Sequence, residues 1–335
     1  MSEKIELSDI TVVVQGAVDQ YTSKCLLKIR RSFPGAKILL STWEGTPVSH
    51  LDFDNVIFNK DPGGTKDLNT AFVNNLNRQL VSTLNGLKSV KTKYALKVRS
   101  NLIFRNNNLL KYFDKFQMTN EKYKVFDRKV IFCSYFFKRY LGEFKYVVHP
   151  TPYHISDWMA FGLTKDLIKL FDVPLTKEPE YTNFLINNKK SDIKLNMFGA
   201  SHQYAPEQYI FYNCVKKYSK FDGVAKFESI IDYSDESIKD SENFVVNNCI
   251  ILDPSQISCY CAKNGIDPYR EWSYKIWGLP HYVYEGLYSH FMYLSEYKRL
   301  IDKSFTIPFS QYILNFMYLN FRKTITKFYG IKNEH

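Results

Sequence analysis

Residues 10–18 read ITVVVQGAV, an unbroken apolar and β-branched run closed by Gln15-Gly16. A run without polar alternation suits a strand covered on both faces, the usual situation in a parallel sheet. Parallel strands need crossover connections, and the following residues supply one. Tyr21, Cys25, Leu26, Ile29 and Phe33 recur at helical spacing over 20–32, and Phe33-Pro34-Gly35 ends the pattern. A second strand is expected at 37–42 (KILLST), running into Trp43-Glu44-Gly45, and a third at 54–59 (DNVIFN), running into Lys60-Asp61-Pro62-Gly63-Gly64. A long helix is expected at about 68–87, with Asn77-Arg78-Gln79 in its middle. A fourth strand at 93–99 (KYALKVR) ends at Ser100-Asn101-Leu102.

This order predicts an open α/β sheet. Ligands in such sheets bind outside the carboxyl ends of the strands. Those ends carry Gln15-Gly16, Trp43-Glu44-Gly45, Asp61-Pro62-Gly63-Gly64 and Arg99-Ser100-Asn101. Beyond them, 129–137 (KVIFCSYFF) reads as a strand. The loop from His149 to Asp157 leads into another strand at about 158–162, followed by a helix at 164–171. Residues 176–200 are polar and read as a surface excursion. Pro206-Glu207 opens a helix over 206–217, and 248–253 (NCIILD) reads as a last strand. The expected organisation is a catalytic-type α/β domain over 1–255 and a helical, aromatic and basic region over 256–335. Within the latter, residues 286–335 hold seven Lys/Arg against three Asp/Glu, and Phe309, Tyr312, Ile313, Phe316 and Leu319 fall at helical spacing. Docking of this tail on an anionic membrane and packing as a helical cap are both readings of that composition.

Several function classes are excluded by missing motifs. No G-x-G-x-x-G follows the first strand and no G-x₄-GK[ST] occurs, which argues against a dinucleotide oxidoreductase or a P-loop NTPase. G-x-S-x-G is absent. His149 and His154 sit on a proline-rich loop without the helix of a zincin. Cys259 and Cys261 form C-x-C rather than a zinc pair, Cys25, Cys133, Cys214 and Cys249 read as buried thiols, and a reducing compartment is expected. MSEKIELSD has no apolar core, so no signal peptide is expected, and no apolar run is long enough to span a bilayer. The 45 Lys+Arg and 34 Asp+Glu leave a formal charge of +11, which favours phosphate-bearing partners. No nucleic-acid-binding module is recognisable, and a nucleic-acid partner is not expected.

Lys97 and Arg99 have the same parity on the fourth strand and so share a sheet face. Buried cations are costly unless they meet an anion. They either pair with structural carboxylates such as Asp61 or Asp127, or clamp a diphosphate in the crevice. Arg78 has the same two readings.

Taken in order, VVVQGAV, IRRSFPGAKILLSTWEG, NKDPGG, the NRQLVSTLNGL helix and TKYALKVRSNLIF, then HISDWMAFGLTKDL and APEQYI, resemble the WavE lipopolysaccharide-synthesis family over about residues 10–255. The resemblance implies a GT-A-like open mixed sheet with flanking helices and a nucleotide-sugar glycosyltransferase on the cytoplasmic side of a bacterial inner membrane. It places donor binding on Gln15, Gly16, Trp43, Glu44, Arg78, Lys97, Arg99 and Asn101. Where the family usually reads Arg-Ser-Asp after the fourth strand, this chain has Arg99-Ser100-Asn101. Asn101 is therefore expected to be at best a weak ligand for Mg²⁺ or Mn²⁺, with Lys97, Arg99 and Arg78 as the alternative charge clamp. Glycosyl transfer needs a cation at the leaving phosphate and a base for the acceptor hydroxyl. Asp157 and Glu207 are the candidate bases, and His154 and Trp158 the candidate acceptor contacts. The expected partners are a nucleotide-sugar donor, a lipid-linked glycan acceptor and an anionic membrane surface. A non-catalytic membrane-surface scaffold that only holds glycolipid or partner enzymes is the alternative.

Overall fold

The computed structural model describes residues 4–141, 149–189, 201–262 and 288–316. The first crossover unit forms as the sequence implies, with β1 (Ile10–Gln15), α1 (Thr22–Ser32) and β2 (Lys37–Trp43), followed by β3 (Asn55–Asn59). A two-stranded hairpin, β4 (Thr65–Lys66) and β5 (Val73–Asn74), precedes α2 (Leu76–Lys88) and β6 (Tyr94–Arg99). β7 (Leu102–Phe104), β8 (Val130–Cys133), the short pair β9 (Tyr140–Leu141) and β10 (His149–Pro150), and β11 (Met159–Leu163) come next. Then follow α3 (Thr164–Phe171), α4 (Phe184–Asn187), α5 (Pro206–Tyr218), α6 (Asp235–Asn248), β12 (Cys249–Leu252), α7 (Pro254–Ile257), β13 (Cys259–Cys261) and α8 (His290–Leu300).

The main sheet has the order β12-β8-β11-β6-β1-β2-β3. β3, β2, β1 and β6 run parallel, with Val12 beside both Ile38 and Leu96. β11 is antiparallel to β6 on one side and to β8 on the other, and β12 rejoins β8 in parallel. A seven-stranded mixed sheet flanked by helices is the α/β, GT-A-like arrangement expected. The unbroken apolar run of β1 is explained by its central position: Ile10, Val12, Val13 and Val14 are fully buried.

α2 lies close on the sheet because Gly86 lets it. A Cβ at Gly86 would come within 2.7 Å of Val13 Cγ1 and 3.0 Å of Ser41 Cβ. The helix is shorter than its apolar pattern suggested. Residues 68–75 are drawn into the hairpin instead, because buried Asp67 accepts hydrogen bonds from the backbone NH groups of Asn69 and Thr70 and holds a turn there. The stretch read as a surface excursion is packed at its middle: Tyr181, Thr182, Asn183 and Leu185 are buried, whereas Lys177, Glu180 and 187–189 are exposed. Thr182 Oγ1 accepts from Asn74, and Asn183 Oδ1 from the Leu68 NH, which ties this segment to the hairpin. Its remainder, 190–200, lies outside the described residues.

α6 has no counterpart in the sequence reading. Its polar composition hides the apolar stripe, although Ser234 is a regular N-cap, accepting from the Ser237 NH. The expected domain boundary at 255 falls inside α7, and β13 beyond it pairs with β7. Tyr288, Tyr293, Leu294 and Tyr297 of the C-terminal region are buried in the same core as the sheet. Phe309, Tyr312, Ile313, Leu314 and Phe316 remain exposed, and the tail from 317 lies outside the described residues. All six cysteines are buried. No described helix is long and apolar enough to cross a membrane.

Gly86→Ala tests the close approach of α2. Helix propensity alone favours alanine by up to about 1 kcal/mol, whereas overpacking against Val13 and Ser41 costs about 1–3 kcal/mol. The expected result is a lowered urea midpoint; an unchanged or raised midpoint would show that the helix rides higher on the sheet.

Candidate functional site

A cavity of about 570 Å³ opens at the carboxyl ends of β1, β2 and β6. Gln15 and Gly16 come from β1, Trp43 from β2, and Arg99, Ser100 and Asn101 from the end of β6. Because β11 runs antiparallel to β6, its start rather than its end lies here, and Asp157 enters the same cavity. Pro206 and Glu207, the first turn of α5, face it as well. The start of α5 is fixed by Gln208: its Oε1 accepts from the Ala205 NH at 3.1 Å and its Nε2 donates to Pro152 O at 2.9 Å. That tether sets Glu207 beside the loop carrying Asp157.

Eight of the expected site residues therefore meet in one cavity: Gln15, Gly16, Trp43, Arg78, Arg99, Asn101, Asp157 and Glu207. Four do not line it. Glu44 is exposed beyond Trp43, with its NH bound to Asn59 O. Lys97 shares the sheet face of Arg99, as its parity requires, but is fully buried beneath the site. Its ammonium donates to the Asp157 backbone carbonyl and lies 5.4 Å from the Phe171 ring centroid, and burial lowers its pKa to about 8. Lys97 is thus a support for the Asp157 loop rather than a wall of the cavity. His154 is buried behind Glu207, with Nε2 4.0 Å from Glu207 Oε2. Burial and the nearby Lys138 charge push its pKa down to about 3, so it is neutral at physiological pH. Trp158 stacks with Tyr135 and Phe136 at 5.0 Å and lies 5.3 Å from the Arg99 guanidinium carbon. It steadies Arg99 through its ring face.

Arg78 follows the pairing alternative. It donates from Nε and Nη2 to the two oxygens of Asp61, both at 2.7 Å, and this fork holds the Asp61 carboxyl below its ordinary value. The pair sits at the rim of the cavity. Gln15 Oε1 accepts from Ser82 Oγ at 2.8 Å and anchors α2 to the strand end. Gly16 adopts φ +110°, and this turn leaves room for Ser100, whose NH donates to Gln15 O and whose hydroxyl donates to Ala17 O.

The acid pair is the most unusual feature. Asp157 Oδ1 is buried and has no hydrogen-bond partner among the described residues. Burial, followed by repulsion from Asp157, pushes the Glu207 carboxyl up to about 8. Two neighbouring carboxyls, one of them held protonated, thus line the same cavity as Arg99.

Asn75, Gln79 and Ser82 also line the cavity and were not singled out in the sequence. Their spacing with Arg78, at 75, 78/79 and 82, is one helical face, and that polar stripe was readable. The Gln79 Nε2 is buried there and has no partner among the described residues. Asp19 is at the cavity too, but its Oδ1 accepts from the Tyr21 NH and the Thr22 hydroxyl at the start of α1.

The donor set around Asn101 does not fit a divalent cation. Asn101 offers one neutral oxygen, and that oxygen accepts from the Cys261 thiol at 3.7 Å. The nearest charged neighbour in sequence is the cation Arg99. Asp61 is committed to Arg78 and Asp19 to a helix start, and among the described residues no three His, Cys, Asp or Glu side chains are grouped to hold a metal.

The model of the WavE lipopolysaccharide synthesis family matches residues 10–324, nearly the entire chain. The chain belongs to the WavE family. Membership places it in lipopolysaccharide synthesis and extends the resemblance read from residues 10–255 through α8 and into the tail. No curated protein matches this WavE chain significantly.

The raised Glu207 carboxyl has a signed consequence for stability. Between its ordinary value of 4.5 and about 8, the folded chain holds a proton that the unfolded chain has released, so stability falls as pH rises through this window. Glu207→Gln removes that dependence. Relative to wild type, the variant is expected to gain about 1–3 kcal/mol between pH 5 and pH 8 in urea titrations. Parallel stability curves over that range would show Glu207 to be ordinarily ionised.

Proposed function

We propose that this WavE protein is a glycosyltransferase that moves a sugar from a nucleotide-sugar donor to a lipid-linked glycan acceptor. The observation that carries this reading is the cavity at the strand ends, lined together by Asp157, the protonated Glu207 and Arg99. The nucleoside is assigned to the Trp43 side, where the ring and the amides of Gln15 and Gln79 supply a face and hydrogen bonds. The leaving phosphate is assigned to Arg99, held flat by Trp158, with the helix α2 wall and the Arg78–Asp61 pair at the rim. As the bond to the phosphate breaks, negative charge grows on the phosphate oxygen, and a preset guanidinium favours that state over the ground state.

Asp157 is the acceptor-activating base. Its carboxylate, on the lining of the cavity, can take the acceptor hydroxyl's proton, and the Lys97 ammonium under its backbone carbonyl holds the loop in place. Glu207, protonated at neutral pH, adds no negative charge beside Asp157. His154, neutral and buried, packs behind Glu207 and makes no acceptor contact in this assignment.

Asp157→Asn keeps shape but removes the basic oxygen. Turnover is expected to fall roughly 10²- to 10⁴-fold, while the rise in melting temperature given by the nucleotide-sugar persists. Transfer at near wild-type rate would end the assignment of Asp157.

The clamp is assigned to protein cations rather than to a metal at Asn101. The donor-induced rise in melting temperature is therefore expected to survive EDTA and to vanish in Arg99→Ala. Loss in EDTA with recovery on adding Mn²⁺ would overturn this.

A further inference from the structure

The hairpin between β4 and β5 carries an apolar tip with no function in the site described above. Leu68 is 68% exposed, Phe72 77% and Val73 49%, and the three lie within six residues. Side chains of this size are exposed singly on many surfaces, but a cluster on one projecting turn marks an interaction site. The turn is built rather than loose. Asp67 is fully buried and accepts from the NH groups of Asn69, Thr70 and Ser201, at 2.9, 2.9 and 2.6 Å. Asn183 Oδ1 accepts from the Leu68 NH at 2.9 Å. Considerable hydrogen bonding thus goes into presenting two large apolar side chains to water.

Charge identifies the partner. The segment from Lys60 to Asn75 contains two acids, and both are consumed internally: Asp61 by Arg78, and Asp67 by backbone NH groups. Its two lysines, Lys60 and Lys66, are exposed. The outward face is therefore apolar and cationic, within a chain of formal charge +11. This combination matches the interface of an anionic bilayer, where rings and aliphatic side chains enter the headgroup boundary and lysines meet phosphates. A glycan platform would present a ring with a polar rim, not leucine and valine.

We infer that the Lys66–Val73 hairpin inserts its tip, Leu68 and Phe72, into an anionic lipid surface and so turns the rim of the cavity toward the membrane. The flanking residues make the link to the cavity direct: Asp61 precedes the hairpin, Asn75 follows it, and both line the cavity. The inference concerns a surface outside the cavity, and its test does not depend on sugar transfer.

Co-sedimentation with vesicles of phosphatidylcholine and phosphatidylglycerol, and with phosphatidylcholine alone, tests it on the full chain. Binding is expected only to the anionic vesicles, and L68S/F72S is expected to weaken it about tenfold or more. Both side chains are exposed, so the double variant should keep its fold, and an unchanged melting temperature confirms this. An environment-sensitive dye on Phe72→Cys gives a local readout, because the six native cysteines are buried. Its emission is expected to shift to the blue on adding anionic vesicles. Undiminished binding by the double variant, or vesicle binding through the C-terminal tail with no dye shift at position 72, would overturn the inference. Equal binding to neutral vesicles would overturn the charge part of it.

Discussion

β11 pairs with β6 in the opposite direction to every other neighbour of the parallel half, and this reversal makes the site possible. In a purely parallel sheet, one end collects strand carboxyl termini and the loops that follow them. Reversing one central strand brings a loop that precedes a strand to the same end. Asp157 reaches the cavity for that reason, and the Arg99 NH donates to Trp158 O across the same pair. Residues far apart in sequence, 15–16, 99–101 and 157, are thereby brought to one rim. The register sets Ala160 beside Lys97 on β6, and on the β8 side a Cβ at Gly162 would come within 3.3 Å of Val130 Cγ2.

Burial of charge then divides the labour. Lys97 is a cation without a carboxylate partner that satisfies its ammonium with a backbone carbonyl and an aromatic ring, at the expense of a lowered pKa. Arg78 has its carboxylate in Asp61. Arg99, between these two, faces the cavity with its plane supported by Trp158. The three cations that look equivalent along the sequence thus have three different environments. The difference comes from depth: one lies under the sheet end, one at the rim, and one on the wall.

Much of this was legible before any coordinates. The β-branched run of β1, the Pro-Gly stop after α1, and the polar ends of β1, β2 and β6 all reflect local rules, and local rules operate within a few residues. So does the parity argument that put Lys97 and Arg99 on one face. The failures are of another kind. Depth is a tertiary property, so the burial of Lys97 and His154 could not be seen in their neighbours. The late start of the expected 68–87 helix depended on Asp67 gathering backbone NH groups and on contacts from residues 182, 183 and 201, far along the chain. α6 escaped because Asp235, Glu236, Lys239 and Asn243 dilute its apolar stripe, whereas Phe244 and Val245 carry its packing. The polar face of α2 at 75, 78/79 and 82 is a different case, because the spacing was present in the sequence and needed only to be counted.

Gly86 also has a mechanical meaning. The helix it pins to Val13 and Ser41 runs some eleven residues back to Asn75, about 16 Å at 1.5 Å per residue. The near end rests on the sheet, and the far end carries both a wall of the cavity and the hairpin attached to it. Buried Leu76 and Leu80 and the Gln15–Ser82 hydrogen bond fasten that arm to the core along its length. Force applied at the hairpin would therefore reach Asn75, Arg78 and Gln79 through a stiff rod and would not be absorbed in a loop.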